Sequence, residues 1–81
     1  MIFDFEQGKY EIIFGSDIIH DGVYLELNVL DENDKKQLIF AFRSDRDRRI
    51  TLYFFCNELP YTLLKRFMDE VDCLLLQNEE E

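Results

Sequence analysis

From Val23 to Leu30 the chain alternates with period two. Val23, Leu25, Leu27 and Val29 fall on one side, and Tyr24, Glu26, Asn28 and Leu30 on the other. This is the pattern of a strand with one face committed to a core. The polar run DENDKK (31 to 36) supplies turn-forming Asp and Asn, after which QLIFAF (37 to 42) resumes the alternation with Leu38, Phe40 and Phe42 on one side. A third segment, RITLYFFC (49 to 56), places Ile50, Leu52, Phe54 and Cys56 on one face and Thr51, Tyr53 and Phe55 on the other. Connectors this short join neighbouring antiparallel strands, so residues 23 to 56 are predicted to form a three-stranded meander.

The period then changes. Over residues 57 to 77 the apolar positions Leu64, Phe67, Met68, Val71, Leu74 and Leu75 recur at steps of three and four, with Lys65, Arg66, Asp69, Glu70 and Asp72 between them. That spacing predicts an amphipathic helix over about residues 58 to 77, starting between Glu58 and Pro60, with Asn57 as cap or turn residue. An acidic tail, residues 78 to 81, follows. At the other end MIFDFE and KYEIIFG read as two short strands or one hairpin. SDIIHDG (16 to 22) reads as a loop or a single helical turn punctuated by Gly22. The expected fold is α+β: an antiparallel meander of four to five strands, with one C-terminal amphipathic helix packed on one face, in a single domain.

Composition sharpens this picture. Eighty-one residues suffice for one core and not two, and 47% hydrophobic content is too high for a disordered chain. The opening residues offer no basic stretch, no apolar segment of spanning length and no small-residue cleavage site. Neither a signal peptide nor a transmembrane span is predicted, and the cytosol is the expected compartment. Cys56 and Cys73 both sit in apolar runs, which predicts reduced, buried thiols.

The formal net charge is -9 and it is unevenly placed. Residues 1 to 34 carry nine acidic side chains against the single base Lys9, a local charge of -8. Such a field repels phosphates and anionic membranes and attracts basic protein surfaces. Against it stands RSDRDRR (43 to 49), four arginines in seven positions. Asp45 and Asp47 offset two of them, and no glycine-rich cradle accompanies them. The stretch is predicted to be a solvated hairpin loop, with Arg46, Arg48 and Arg49 as a weak charged contact for a partner and not a nucleic-acid site.

The chemistry-bearing residues are few. His20 lies between Asp17 and Asp21, with Ser16 nearby, but one histidine and two cysteines without metal-ligand spacing do not make a zinc site. Sequence neighbours on a loop seldom reach the geometry of a catalytic triad. DENDKK lacks the central glycine and distant glutamate of a calcium loop. No cofactor, metal or enzymatic activity is expected.

What remains is apolar. If Leu38, Phe40 and Phe42 join Ile50, Leu52 and Phe54 beneath the helix, then Ile39, Ala41, Tyr53 and Phe55, with Tyr24 and Leu30, point to the second face of the sheet. One helix cannot cover both faces. The candidate partner-binding residues are therefore Tyr24, Ile39, Tyr53 and Phe55 as anchors, with Asp31, Glu32 and Asp34 steering. The alternative is that Phe3, Phe5, Ile12, Ile13 and Phe14 fold back over that face. The function expected is a small acidic protein-binding module, an inhibitor or immunity or antitoxin-like protein masking a basic partner such as a toxin or nuclease. A structural or regulatory homodimer is the rival reading.

Overall fold

Each alternating segment forms a strand: β1 (Ile2–Phe5), β2 (Gly8–Asp17), β3 (Gly22–Asp31), β4 (Asp34–Ser44) and β5 (Ile50–Phe54). Helix α1 (Tyr61–Val71) follows, extended by a wider π-helical turn, Asp72–Leu76. The computed structural model describes residues 1 to 76; the expected end of the helix at Gln77 and the acidic tail, 78 to 81, lie outside the described residues. All pairings are antiparallel, and the sheet order β1-β2-β3-β4-β5 is that of a plain meander. The fold is α+β, with five strands and one helix against one face.

Residues directly opposite one another in neighbouring strands share a face, so the registers assign every side chain. Tyr10, Ile12 and Phe14 lie opposite Val29, Leu27 and Leu25, and Phe3 lies opposite Tyr10. Ile50, Leu52 and Phe54 lie opposite Arg43, Ala41 and Ile39. This is the helix face. It buries Phe3, Ile12, Leu25, Leu27, Leu38, Ile39 and Ala41 against Leu63, Phe67, Val71 and Leu75 of the helical segment, with Leu64, Met68 and Leu74 packed at the margin. Full burial of such a side chain stabilises by roughly 1.5–3 kcal/mol, so this layer carries most of the fold. The guanidinium of Arg66 lies 4.0 Å from the Phe3 ring centroid, on the exposed side of that packing.

One irregularity decides which residues face the helix. From the β3–β4 turn outward, Asp31 pairs Asp34, Leu30 pairs Lys35, Val29 pairs Lys36 and Asn28 pairs Gln37. The register then shifts, so that Leu27 pairs Ile39 and not Leu38. Leu38 is the extra residue of a β-bulge, and its carbonyl accepts the Phe55 backbone N–H at 2.9 Å. A regular ladder would have placed Leu38, Phe40 and Phe42 opposite Leu27, Leu25 and Val23, beneath the helix, as the sequence alternation predicts. The one-residue slip inverts every position beyond it. Ile39, expected outside, is fully buried, Ala41 with it, and Phe40 and Phe42 turn outward.

Three smaller corrections follow. The N-terminal strands do not fold over the second face: they extend the sheet and send Phe3, Phe5 and Ile12 to the helix side. The helix starts at Tyr61, after the predicted window, with Pro60 in extended geometry at the cap position and no side-chain capping bond. A residue preceding proline is driven out of the α region, which holds Leu59 outside the helix. Cys73, expected to be buried, is exposed, while Cys56 is half-buried with its Sγ 3.8 Å from the Leu38 carbonyl; both thiols are free.

The arginine stretch divides in two. Arg43 belongs to the end of β4 on the helix face, is 5% exposed, and donates from Nη1 to the Leu75 carbonyl. Its Nη2 donates to Asp45 at 3.1 Å. A cation bonded to a carbonyl at the C-terminal end of a helix satisfies a group that has no intrahelical partner. Arg46, Arg48 and Arg49 form the exposed β4–β5 loop that the sequence predicts.

Candidate protein-binding face

The opposite face of the sheet follows from the same registers. Gly15, Tyr24, Phe42 and Thr51 make one row across β2 to β5, and Ile13, Glu26, Phe40 and Tyr53 the next. Phe55, two residues beyond Tyr53, continues the line. The rings touch: Tyr24 and Phe40 stack with centroids 5.3 Å apart, and Phe40 and Tyr53 meet at 6.1 Å and 50°. Both separations suit favourable aromatic pairs.

Two glycines make room for these rings. A Cβ on Gly15 would fall 2.5 Å from the Tyr24 hydroxyl oxygen, and one on Gly22 would fall 2.4 Å from Phe42 Cζ. The rings therefore lie down over the neighbouring strand and do not stand up from their own. Even so the face is open. Among the described residues no element lies across it, and Tyr53 and Phe55 remain 50% and 54% exposed. With roughly 200 Å² per aromatic side chain, these two alone leave about 100 Å² each to water.

Phe40, Phe42, Tyr53 and Phe55, together with Asp17 and His20, line an open hollow of about 440 Å³. Asp17 is the last residue of β2, and His20 belongs to the β2–β3 turn, residues 18 to 21. Asp17 accepts the His20 backbone N–H at Oδ1, 3.1 Å, and its Oδ2 lies 2.9 Å from His20 Nδ1. A carboxylate can only accept, so this nitrogen carries the hydrogen. The His20 ring bond, then its backbone bond, hold the Asp17 carboxyl below the usual aspartate range. The turn also leaves Ile18 and Ile19 at 87% and 86% exposure. These two side chains and the rings together leave a few hundred Å² of apolar surface open to water.

The charged groups on this face are arranged unequally. Lys9 pairs with Asp4 and Lys35 with Glu11, both at 3.2 Å, toward the end of the sheet that carries the β1–β2 and β3–β4 turns. Around the rings stand Glu26, which accepts from Asn28 Nδ2 at 3.3 Å, and Asp17. The hollow's lining includes no lysine or arginine.

The residues singled out from the sequence are thus only partly assembled. Tyr24, Tyr53 and Phe55 stand together on the open face; Ile39 does not, because of the bulge. Asp31, Glu32 and Asp34 are exposed at the β3–β4 turn, at the far end of the sheet. Five residues from Glu26 to Asp31 span about 17 Å of strand. Arg46, Arg48 and Arg49 lie at the opposite end, where the Asp45 N–H donates to the Asp21 carbonyl at 2.8 Å and ties the β4–β5 loop to the β2–β3 turn. Ser16 shares the helix-side face with Val23, so it is not aligned with Asp17 and His20. Phe40, Phe42, Ile18 and Ile19 were not singled out in the sequence as contact residues. For the two phenylalanines a register count would have found them only if the bulge were known.

Among the described residues no group of three or more His, Cys, Asp or Glu is placed to hold a metal ion, and no helix is long and apolar enough to cross a membrane. No protein-family model matches this chain, and neither the curated proteins nor the solved structures provide a match.

Proposed function

We propose that this chain is a small acidic protein-binding module that docks a basic partner against the open aromatic face, as an inhibitor or immunity-type protein masks its target. The single observation that carries this reading is the row Tyr24, Phe40, Phe42, Tyr53 and Phe55, ordered by mutual contacts and by two glycines yet left open to water. Tyrosine and phenylalanine on a rigid sheet offer contact area at small entropic cost, which is how interface anchors work. The acidic surplus, including the β3–β4 turn, steers a basic partner and sets its orientation. An interface of ordinary size, about 800 Å² per partner, reaches from the rings toward that turn.

A homodimer through the same face is the second reading. It is favoured by the exposed Ile18–Ile19 tip standing beside an apolar hollow, a self-complementary arrangement in a two-fold contact. Bringing two chains of net charge -9 together opposes it.

Light scattering on a sizing column, at micromolar concentrations and two salt levels, separates the two. The first reading expects a monomer of 9.8 kDa, and capture of a basic protein by the wild type but not by Phe55→Asp. With that protein purified, the association rate should fall steeply with salt. A stable dimer whose Phe55→Asp variant is a folded monomer overturns the first reading in favour of the second.

A further inference from the structure

We infer that the hollow between Phe40, Phe42, Tyr53 and Phe55 is a seat for an arginine side chain of the partner, with Asp17 pairing its guanidinium. This deepens the protein-binding reading and rests on it. An apolar hollow alone would suit leucine or methionine as well; three features select a cation.

The first is the lining. Four aromatic rings and one carboxylate line the hollow, with no lysine or arginine among the lining residues. The second is the state of that carboxylate. His20 fixes its orientation with two bonds, while each oxygen retains a further lone pair for an incoming donor. The third is the charge of the chain. The two lysines of this face are already paired with Asp4 and Glu11, and a net charge of -9 sets a long-range field that favours a cation, although Arg46, Arg48 and Arg49 of the β4–β5 loop stand at the Asp17 end of the face.

Arginine fits better than lysine. Its planar guanidinium stacks on a ring while its edge donates to a carboxylate, whereas an ammonium is a compact, strongly hydrated charge. The chain uses the same pairing internally, with Arg66 over Phe3 on the other side of the sheet. A volume of about 440 Å³ is at the small end of ligand sites, which suits one long side chain and a few waters.

The test is an NMR titration of the isotope-labelled full chain with N-acetyl-arginine methylamide, N-acetyl-lysine methylamide and N-acetyl-norleucine methylamide at constant ionic strength. The arginine probe should shift the Tyr53 and Phe55 ring resonances with a millimolar dissociation constant, at least about threefold tighter than norleucine. Asp17→Asn should weaken it about two- to fivefold. Tyr53→Thr and Phe55→Thr, which keep strand-forming residues at half-exposed positions, should remove most of the response. Unchanged Leu25 and Ile39 methyl signals report that these variants remain folded. His20→Ala should leave the arginine response in place with at most a twofold loss, since Asp17 remains.

Norleucine binding as tightly as arginine, an arginine response indifferent to Asp17→Asn, or no response at Tyr53 and Phe55 would each overturn the inference. If the probes fail while Phe55→Asp still abolishes partner capture, the module reading stands and only the cation seat falls. If the chain is a dimer with Phe55 buried, both fall together.

Discussion

The two faces of this sheet are built from the same strands and both are apolar, yet their compositions differ. Beneath the helix the sheet presents Leu25, Leu27, Ile39 and Ala41, all fully buried; on the other side it presents Tyr24, Phe40, Phe42 and Tyr53, all part-exposed or exposed. Branched and small aliphatic side chains interdigitate closely with a helix. Broad rings stacked or tilted against one another make an open hollow that no element among the described residues covers. The comparison teaches that apolar content alone does not locate a core. What separates the core from the open face here is side-chain shape together with what stands opposite.

The largest expected effect tests the covered face against the open one with the same substitution. Phe67→Ala removes a fully buried ring at the centre of the helix contact and should cost about 3–5 kcal/mol in chemical denaturation. Phe55→Ala, at 54% exposure, should cost under about 1 kcal/mol, as surface changes usually do. Similar losses at the two positions would mean that the open face is covered in solution.

A smaller effect belongs to the arginine that joins the two layers. Arg43→Leu keeps much of the volume but deprives the Leu75 carbonyl of its donor, and should cost about 1–3 kcal/mol. Arg46→Leu, in the same charged stretch but on the exposed loop, should change stability by no more than about 0.5 kcal/mol. Equal effects would mean that the Arg43 bond contributes nothing.

These two arginines also show where the sequence was legible and where it was not. The strands, the helix and the loop character of residues 45 to 49 follow from periodicity, because burial of one face imposes it directly. Arg43 looks like its neighbours in the sequence, and only its place on the helix side of β4 makes it structural. The same holds for β4 itself, whose QLIFAF run is apolar in both phases. Alternation fixes that two faces exist; the Leu38 bulge fixes which is which. Tyr53 and Phe55 were legible because β5 has no such slip, and Ile39 was misplaced because β4 has one.

Next in size come the glycines under the outer rings. Gly22→Ala would bring its Cβ within 2.3 Å of the Arg43 carbonyl oxygen, a backbone atom, as well as against Phe42, so a loss of about 1–3 kcal/mol is expected. At Gly15 the obstacle is only the end of the Tyr24 side chain, which can swing away. Gly15→Ala should therefore cost less stability than Gly22→Ala while moving the Tyr24 ring, seen as a loss of its ring-current shift on Phe40. A larger stability loss at Gly15 than at Gly22 would contradict this account of how the open face is laid down.

The smallest effect concerns Asp17 at the rim of the open face. Bonds from the His20 ring and then its backbone N–H lower its folded-state pKa below that of the unfolded chain. Stability from this group is therefore present at neutral pH and is lost as pH falls below about 4 and passes through the lowered folded value. The carboxylate keeps 27% of its side-chain surface open to water, so the change should be slight, and Asp47, lowered mainly by the Arg49 backbone N–H, adds one of the same sign from the neighbouring loop. The stability difference between wild type and Asp17→Asn should be constant from pH 7 to 5 and shrink toward pH 3, measured by urea denaturation at each pH. If the difference holds constant down to pH 3, the carboxylate is not held ionised by His20. Asp17 would still be ionised at neutral pH, but its carboxylate would no longer be a group that His20 orients at the rim of the open face.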